Sequence, residues 1–221
     1  GTNEPFLFKM TGTGGLTTRT FFATEITVSG TTAPKVCAIH DHHLVVAGAS
    51  TAKNTVFISA TDDIDSFSGT GSASIVMEDQ VVGLKSFRTD LIIFCKNSIH
   101  KLININDSSN IAIVPVTKNV GCLNEHSIQE IGGDLVFLSP DGIRSVAGTA
   151  RIGDVELGSV SRQIQALIKD LANSITSFVI TSGVLRSKSQ YRLFYSATTS
   201  TTAVSKGIIG TLTGNGFEWA E

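Results

Sequence analysis

Several things are scarce in this chain of 221 residues, and each scarcity removes a class of protein. There are three cysteines, Cys37, Cys95 and Cys122, an odd number with no pair at C-x-x-C spacing. That count argues against a disulfide framework, and the spacing argues against a thiolate zinc site. Each cysteine lies beside apolar residues, so all three are expected as buried, reduced thiols, which suits assembly in a reducing compartment. Charge is sparse: 17 Lys and Arg face 19 Asp and Glu, a net charge of -2, with no block of one sign. Nucleic-acid binders need clustered cations to displace counterions, and this chain does not advertise them, although copies brought together could build a basic surface. No apolar run approaches the ~18 residues of a membrane span. The first residues, GTNEPFLFKM, lack the basic start and apolar block of a signal peptide. The chain begins without Met, as a processed chain or an excerpt of a longer protein would.

What is present is a hydrophobic content of 41% and 21 glycines spread along the chain, against only four prolines. That composition builds a core and supplies many turns, as an all-β chain requires. Short β-prone runs dominate, from Pro5–Met10 and Phe21–Val28 onward. The segment GGDLVFLSPDGIRSVAG, from Gly132, reads as two strands around an Asp141-Gly142 turn. A second hairpin is expected about Lys96-Asn97, and a polar turn at Asp41-His42-His43.

The hairpin belongs to a loose repeat. DHHLVVAGAS, RTDLIIFCKNSIHKL, GGDLVFLSPDGIRSV and SQYRLFYSATTS each carry a polar approach, about four apolar residues and a polar or glycine turn. With Leu44, Leu91, Leu135 and Leu193 as markers, the steps are 47, 44 and 58 residues. A period in the mid-forties matches a four-stranded propeller blade, since four short strands and their turns need about 40–50 residues. The long last step holds SVSRQIQALIKDLANS, where Val160, Ile164, Leu167, Ile168 and Leu171 mark one face of an α-helix. Ser159 or Ser161 would cap it. The expected fold class is therefore all-β: β-propeller-like with four-stranded blades and one inserted amphipathic helix. Residues 1–221 are read as a single domain, with the helix near 160–172 as the insertion. Four to five blades fit the length, as a small closed ring or an incomplete one, and a β-sandwich is the competing architecture.

From about Leu44 to Leu167 the segments LVVAGAS, NTVFISATDDIDSF, DQVVGLKSFRTDLIIFCKNSIHKL, PVTKNVGC and GGDLVFLSPDGIRSVAGTARIGDVELGSVSRQIQ follow one another in a known order. In order and texture they resemble the β-propeller hub proteins of short-tailed bacteriophages, called tail tubular, nozzle or packaged-DNA-stabilisation proteins. The resemblance implies a structural virion protein rather than an enzyme, assembled in the host cytoplasm. It implies a hexameric homo-oligomeric ring in the phage tail, continuing the DNA channel below the portal and adaptor proteins. Such a ring retains packaged DNA, which passes without sequence-specific binding, and docks tail fibres or the tail tip. Family members are usually much longer than 221 residues, so this chain would be a propeller portion or a shortened relative. A near-neutral, Ser/Thr-rich channel wall suits DNA that must pass without being gripped. Ring contacts are expected in the stretch TGTGGLTTRT, at Thr11, Gly12, Gly14 and Thr18, and on the helix at Ile164 and Leu167.

The remaining constellations favour bland readings. His40, Asp41, His42 and His43 are metal-like in composition, but neighbouring residues of an extended strand point to opposite faces, so a polar turn is expected. His100 and His126 are expected as surface or satisfied histidines. Asp62, Asp63 and Asp65 lack the glycine and glutamate of a calcium loop, those positions being Phe67 and Ala73. No phosphate-loop lysine pattern and no nucleophile elbow occur. Glu78, Asp79, Asp154 and Glu156 nominate no glycosidase pair. Phe217 and Trp219 are expected in the core rather than stacking on a sugar or base. No cofactor, metal, catalytic residue or membrane partner is expected. The alternative reading is a monomeric carbohydrate- or peptide-binding propeller. A weaker third is a hydrolase with polar residues gathered at the propeller mouth.

Overall fold

The computed structural model describes residues 6–11, 20–25, 28, 34–107, 109–147, 160–198, 205–214 and 216–221. Strands β1 (Phe6–Thr11) and β2 (Thr20–Glu25) pair antiparallel, from Phe6 opposite Glu25 to Thr11 opposite Thr20. The first full sheet holds β3 (Val36–His40), β4 (His43–Ala49), β5 (Ala52–Ile58) and β6 (Ala73–Val76), in chain order. The second holds β7 (Val81–Phe87), β8 (Asp90–Cys95), β9 (Ile99–Ile103) and β10 (Ala112–Thr117), again as neighbours in chain order. The third has β11 (Gln129–Ile131), β12 (Asp134–Ser139) and β13 (Gly142–Ser145). The fourth has β14 (Phe178–Leu185), β15 (Gln190–Ala197), β16 (Ser205–Thr213) and β17 (Gly216–Ala220). The chain is all-β and β-propeller-like: its repeating element is the four-stranded antiparallel meander of a blade, with an amphipathic helix inserted.

The repeat markers land on equivalent places. Leu44, Leu91 and Leu135 are each the second residue of the second strand of their sheet, and each is buried. In the fourth sheet that position belongs to Tyr191, not Leu193, so the expected alignment of the last repeat is two residues out of place. Second strands are flanked on both sides within the sheet. β4, β8 and β12 are also covered on both faces and read as continuous apolar runs, β4 being buried at all of its residues, whereas β15 alternates between buried and open positions.

Two compact units make up the chain: Gly1–Leu91 with Leu102–Ala112, and Ile92–Lys101 with Ile113–Glu221. Strands β8, β9 and β10 contribute residues to both. In the first unit, β7 packs on β3, β4 and β5. On the other face of that sheet Leu44 and Val46 gather Val28, Phe57, Ile64 and Phe67 around them. The expected turn before β4 is shorter than its three residues: only Asp41 and His42 turn, both at positive φ (44° and 68°), and His43 joins the strand.

In the second unit, the hairpin of β12 and β13 turns at Pro140-Asp141, one residue before the expected Asp141-Gly142, because Gly142 already pairs with Ser139. Inside this hairpin the buried Arg144 donates its Nε and Nη2 to the two oxygens of Asp141, and Ser139 Oγ adds a bond of 2.6 Å. Burial alone would raise the Asp141 pKa; the bonds from Arg144 and Ser139 outweigh it and hold the carboxyl below its ordinary value.

The third sheet lacks a fourth strand among the described residues, and its outer edge is closed differently. Ile143 O accepts from Val160 N at 2.8 Å, and Ile143 N donates to Ser161 Oγ at 2.8 Å. A 3-10 turn, Arg162–Ile164, then leads into helix α1 (Gln165–Asn173), which packs against β13. The helix thus stands beside the edge that a fourth strand would otherwise cover, which protects that edge from pairing with another chain. Val160 precedes the helix, and Ser161 Oγ accepts from Ile143 N rather than capping the helix as expected; the rest of the apolar stripe follows the spacing. Ile168 and Leu171 are buried, and Val160, Ile164 and Leu167 are partly buried against the same core of Val136, Leu138, Ile143, Tyr191, Leu193 and Ile208.

In the fourth sheet the alternation along β15 decides which side is core. Tyr191, Leu193 and Tyr195 point inward, whereas Phe194 lies on the opposite face. Phe217 and Trp219 stack at 5.5 Å and join the core, as expected. Trp219 lies across Gly210, where an added Cβ would sit 2.7 Å from the indole, so the packing of that ring requires glycine there. Gly121 is held more tightly still: its Cβ would lie 2.1 Å from Lys96 O.

Candidate functional site

The residues expected to make ring contacts fall in three places. Thr11 ends β1, paired with Thr20. Gly12, Gly14 and Thr18 lie outside the described residues. Ile164 and Leu167 turn toward the core of the second unit, partly buried, rather than standing clear of it.

Outward-facing apolar side chains lie elsewhere, at positions the sequence reading did not single out. Ile39 on β3 is 69% exposed and Val76 on β6 is 70% exposed. Register places both on one face: Ile39 is opposite Leu44, Val46 opposite Phe57, and Thr55 opposite Val76. The centre of this face is covered by Val28, Ile64 and Phe67, and its margins are open. Cys37, on the same face opposite Val46, is exposed, which corrects the expectation that all three thiols are buried. An edge strand has a neighbour on one side only, so its apolar neighbours in sequence did not imply burial. The fourth sheet has a comparable outer face. Val179 is 63% exposed, and Phe194 lies diagonally from it, opposite Thr181.

The most polar ensemble is at the β3–β4 turn in the first unit. His42, in the turn, is exposed, and His43, the first residue of β4, is fully buried, so the two do not face one site. His42 Nδ1 pairs with Asp62 Oδ1 at 2.8 Å, while Asp62 N donates to His42 O. His43 Nδ1 lies 2.7 Å from Ser59 O, and its Nε2 lies 3.0 Å from Asn106 Oδ1 and 3.4 Å from Thr61 Oγ1. Asn106 Nδ2 donates to Asp41 Oδ2 at 2.5 Å. His40, across the hairpin from His43, bonds Ser86 Oγ at 2.8 Å through Nδ1. Burial lowers the His40 pKa, partly opposed by Asp41 and Asp90. Among the described residues no group of three or more His, Cys, Asp and Glu side chains is placed to hold a metal ion. Asn106 sits 63 residues from His43, and nothing in sequence spacing pointed to it.

His100 is buried, with Nε2 2.9 Å from Ser98 Oγ, and His126 is exposed. In the second unit, a cleft of about 200 Å³ is lined by Glu130, Ile131, Gly132, Gly133, Val184, Arg186 and Ser189. Its walls are the β11–β12 and β14–β15 turns, and Glu130, Arg186 and Ser189 bring polar side chains to a lining completed by Ile131, Val184 and two glycines. No helix among the described residues is long and apolar enough to cross a membrane.

No model of a protein family matches the chain, and no curated protein matches it. Among solved structures it is similar to the crystal structure of the N-terminal domain of Nup159, at 15% identity and a TM-score of 0.46. That likeness covers 83% of this chain and 47% of the other, so the chain spans about half the length of its neighbour. The blade architecture rests on the chain's own sheets.

Proposed function

We propose that the chain is a structural virion protein of a phage tail. In this reading it is a subunit of a homo-oligomeric, hexameric ring, the nozzle or hub, that continues the DNA channel below the portal and adaptor. The ring retains packaged DNA without reading its sequence and docks fibres or the tail tip. The resemblance from Leu44 to Leu167 motivates the reading, and the observation that supports it best is the outward placement of Ile39, Val76, Val179 and Phe194 on the open faces of blades. Large apolar side chains on a sheet face are what a subunit brings to protein neighbours rather than to a small substrate. Light scattering of the purified chain at several concentrations tests it. A discrete ring, a hexamer above all, is the expected result; a strict monomer under all conditions counts against it.

The second reading is a monomeric carbohydrate- or peptide-binding module, favoured by the cleft between Glu130 and Arg186. It predicts a monomer whose resonances at Gly132, Gly133 and Arg186 shift on adding glycans or short peptides.

A further inference from the structure

We propose that His43, Asn106 and Asp41 form a proton-linked latch that fastens the loop after β9 to the β3–β4 turn. The latch lies wholly within the first unit and is independent of any role in a virion. It follows from counting donors and acceptors. Ser59 O is a backbone carbonyl and can only accept, so the His43 Nδ1 beside it at 2.7 Å carries a hydrogen. At the other ring nitrogen the partner is Asn106 Oδ1, at 3.0 Å. The orientation of that amide is set from its far side, where Nδ2 meets two acceptors of Asp41: Oδ2 at 2.5 Å and the backbone O at 3.3 Å. Turning the amide over would press its oxygen against a carboxylate and a carbonyl at once. Asn106 Oδ1 therefore faces Nε2, and a ring holding one hydrogen would set lone pair against lone pair in a buried site.

A second proton on the ring resolves this. Nε2 then donates to Asn106, and the new positive charge is answered by Asp41 one amide away. When that proton leaves, the Thr61 hydroxyl at 3.4 Å from Nε2 can rotate to donate instead, and the Asn106 contact loses its hydrogen. The site thus has two arrangements, and Asn106 belongs to the protonated one. Gly71 leaves room for the Thr61 hydroxyl: a Cβ there would lie 2.4 Å from Thr61 Oγ1.

On β3, His40 faces His43 across the hairpin and opposes its charge; burial keeps His40 neutral further into acid than an ordinary histidine. Asp90 acts on His40. His42 points outward and is paired with Asp62 from the loop after β5. Asp107, in the latched loop, is exposed and bonded to Asn110 and to Ser109 N.

The test is hydrogen exchange at Ile105, Asn106 and Asp107, corrected for intrinsic rates, as the pH is lowered from alkaline to acid over the range in which the chain stays folded. In the wild-type chain, protection is expected to rise about tenfold toward the acid end, the ratio that a hydrogen bond to a charged group sustains. Asn106→Ala, at an exposed position, should flatten that response. Ring nitrogen resonances of His43 supply a reading that does not depend on a variant: hydrogens on both nitrogens at the acid end, and on Nδ1 alone at the other. The latch is overturned if wild-type protection is the same at both ends, if Asn106→Ala responds as the wild type does, or if Nε2 never gains a hydrogen.

Discussion

Ser161→Ala isolates the device that closes the third sheet. Ser161 Oγ is the acceptor for Ile143 N at 2.8 Å, and both residues are fully buried. The substitution deletes the acceptor and leaves the donor in place. Losing a hydrogen bond costs about 1 kcal/mol when water can replace the partner, and up to about 3 kcal/mol when the donor is left dry. Burial of Ile143 puts this site at the dry end, so a loss of about 2–3 kcal/mol is expected, or a fall in the melting temperature of about 4–12 °C for a chain of this size. The chain has a built-in reporter: its single tryptophan, Trp219, donates Nε1 to Val160 O at 2.6 Å, one residue from the mutated site. Denaturant unfolding followed by Trp219 fluorescence should show the lowered midpoint, and the Ile143 amide should exchange faster than in the wild type. An unchanged midpoint together with an unchanged Ile143 exchange rate would falsify the idea that segment 160–161 serves as the edge partner of β13.

Ile168→Ala removes a fully buried side chain from the helix stripe and should cost about 2–5 kcal/mol; calorimetry showing less than about 1 kcal/mol would mean that the helix is not docked as described. The Asp141 pKa is lowered on folding, so the stability it carries is present above the ordinary carboxylate value and disappears as pH falls below it. Arg144→Met should therefore weaken the acid-side slope of stability against pH, and an unaltered slope would contradict the pairing. A thiol probe added to the native chain should modify Cys37 promptly and leave Cys95 and Cys122 until unfolding, since both are buried and burial pushes the Cys122 thiol up to about 12; simultaneous reaction of all three is the contrary outcome.

Sequence alone determined the features that depend on neighbours a few residues apart. The period in the mid-forties came from the second strands β4, β8 and β12, which are covered on both faces and so spell an unbroken apolar run. The helix was legible because Ile164, Leu167, Ile168 and Leu171 keep one face and meet the core, whereas Val160, read with them, lies before the helix in the segment bonded to β13. The marker in the last repeat slipped from Tyr191 to Leu193 because both face inward on one strand, and an alternating pattern does not distinguish positions two apart. What only the tertiary structure decided is what covers each element from a distance. Cys37 and Ile39 look like core residues in sequence, yet they lie on the open margin of an edge strand. Among the described residues, the third sheet meets segment 160–161 and the helix at its edge and no fourth strand, a contact set by two hydrogen bonds at Ile143. His43 acquires its chemistry from Ser59 and Asn106, 16 and 63 residues away, and the identity of a buried polar group's partner is a fact of contact that no local pattern encodes.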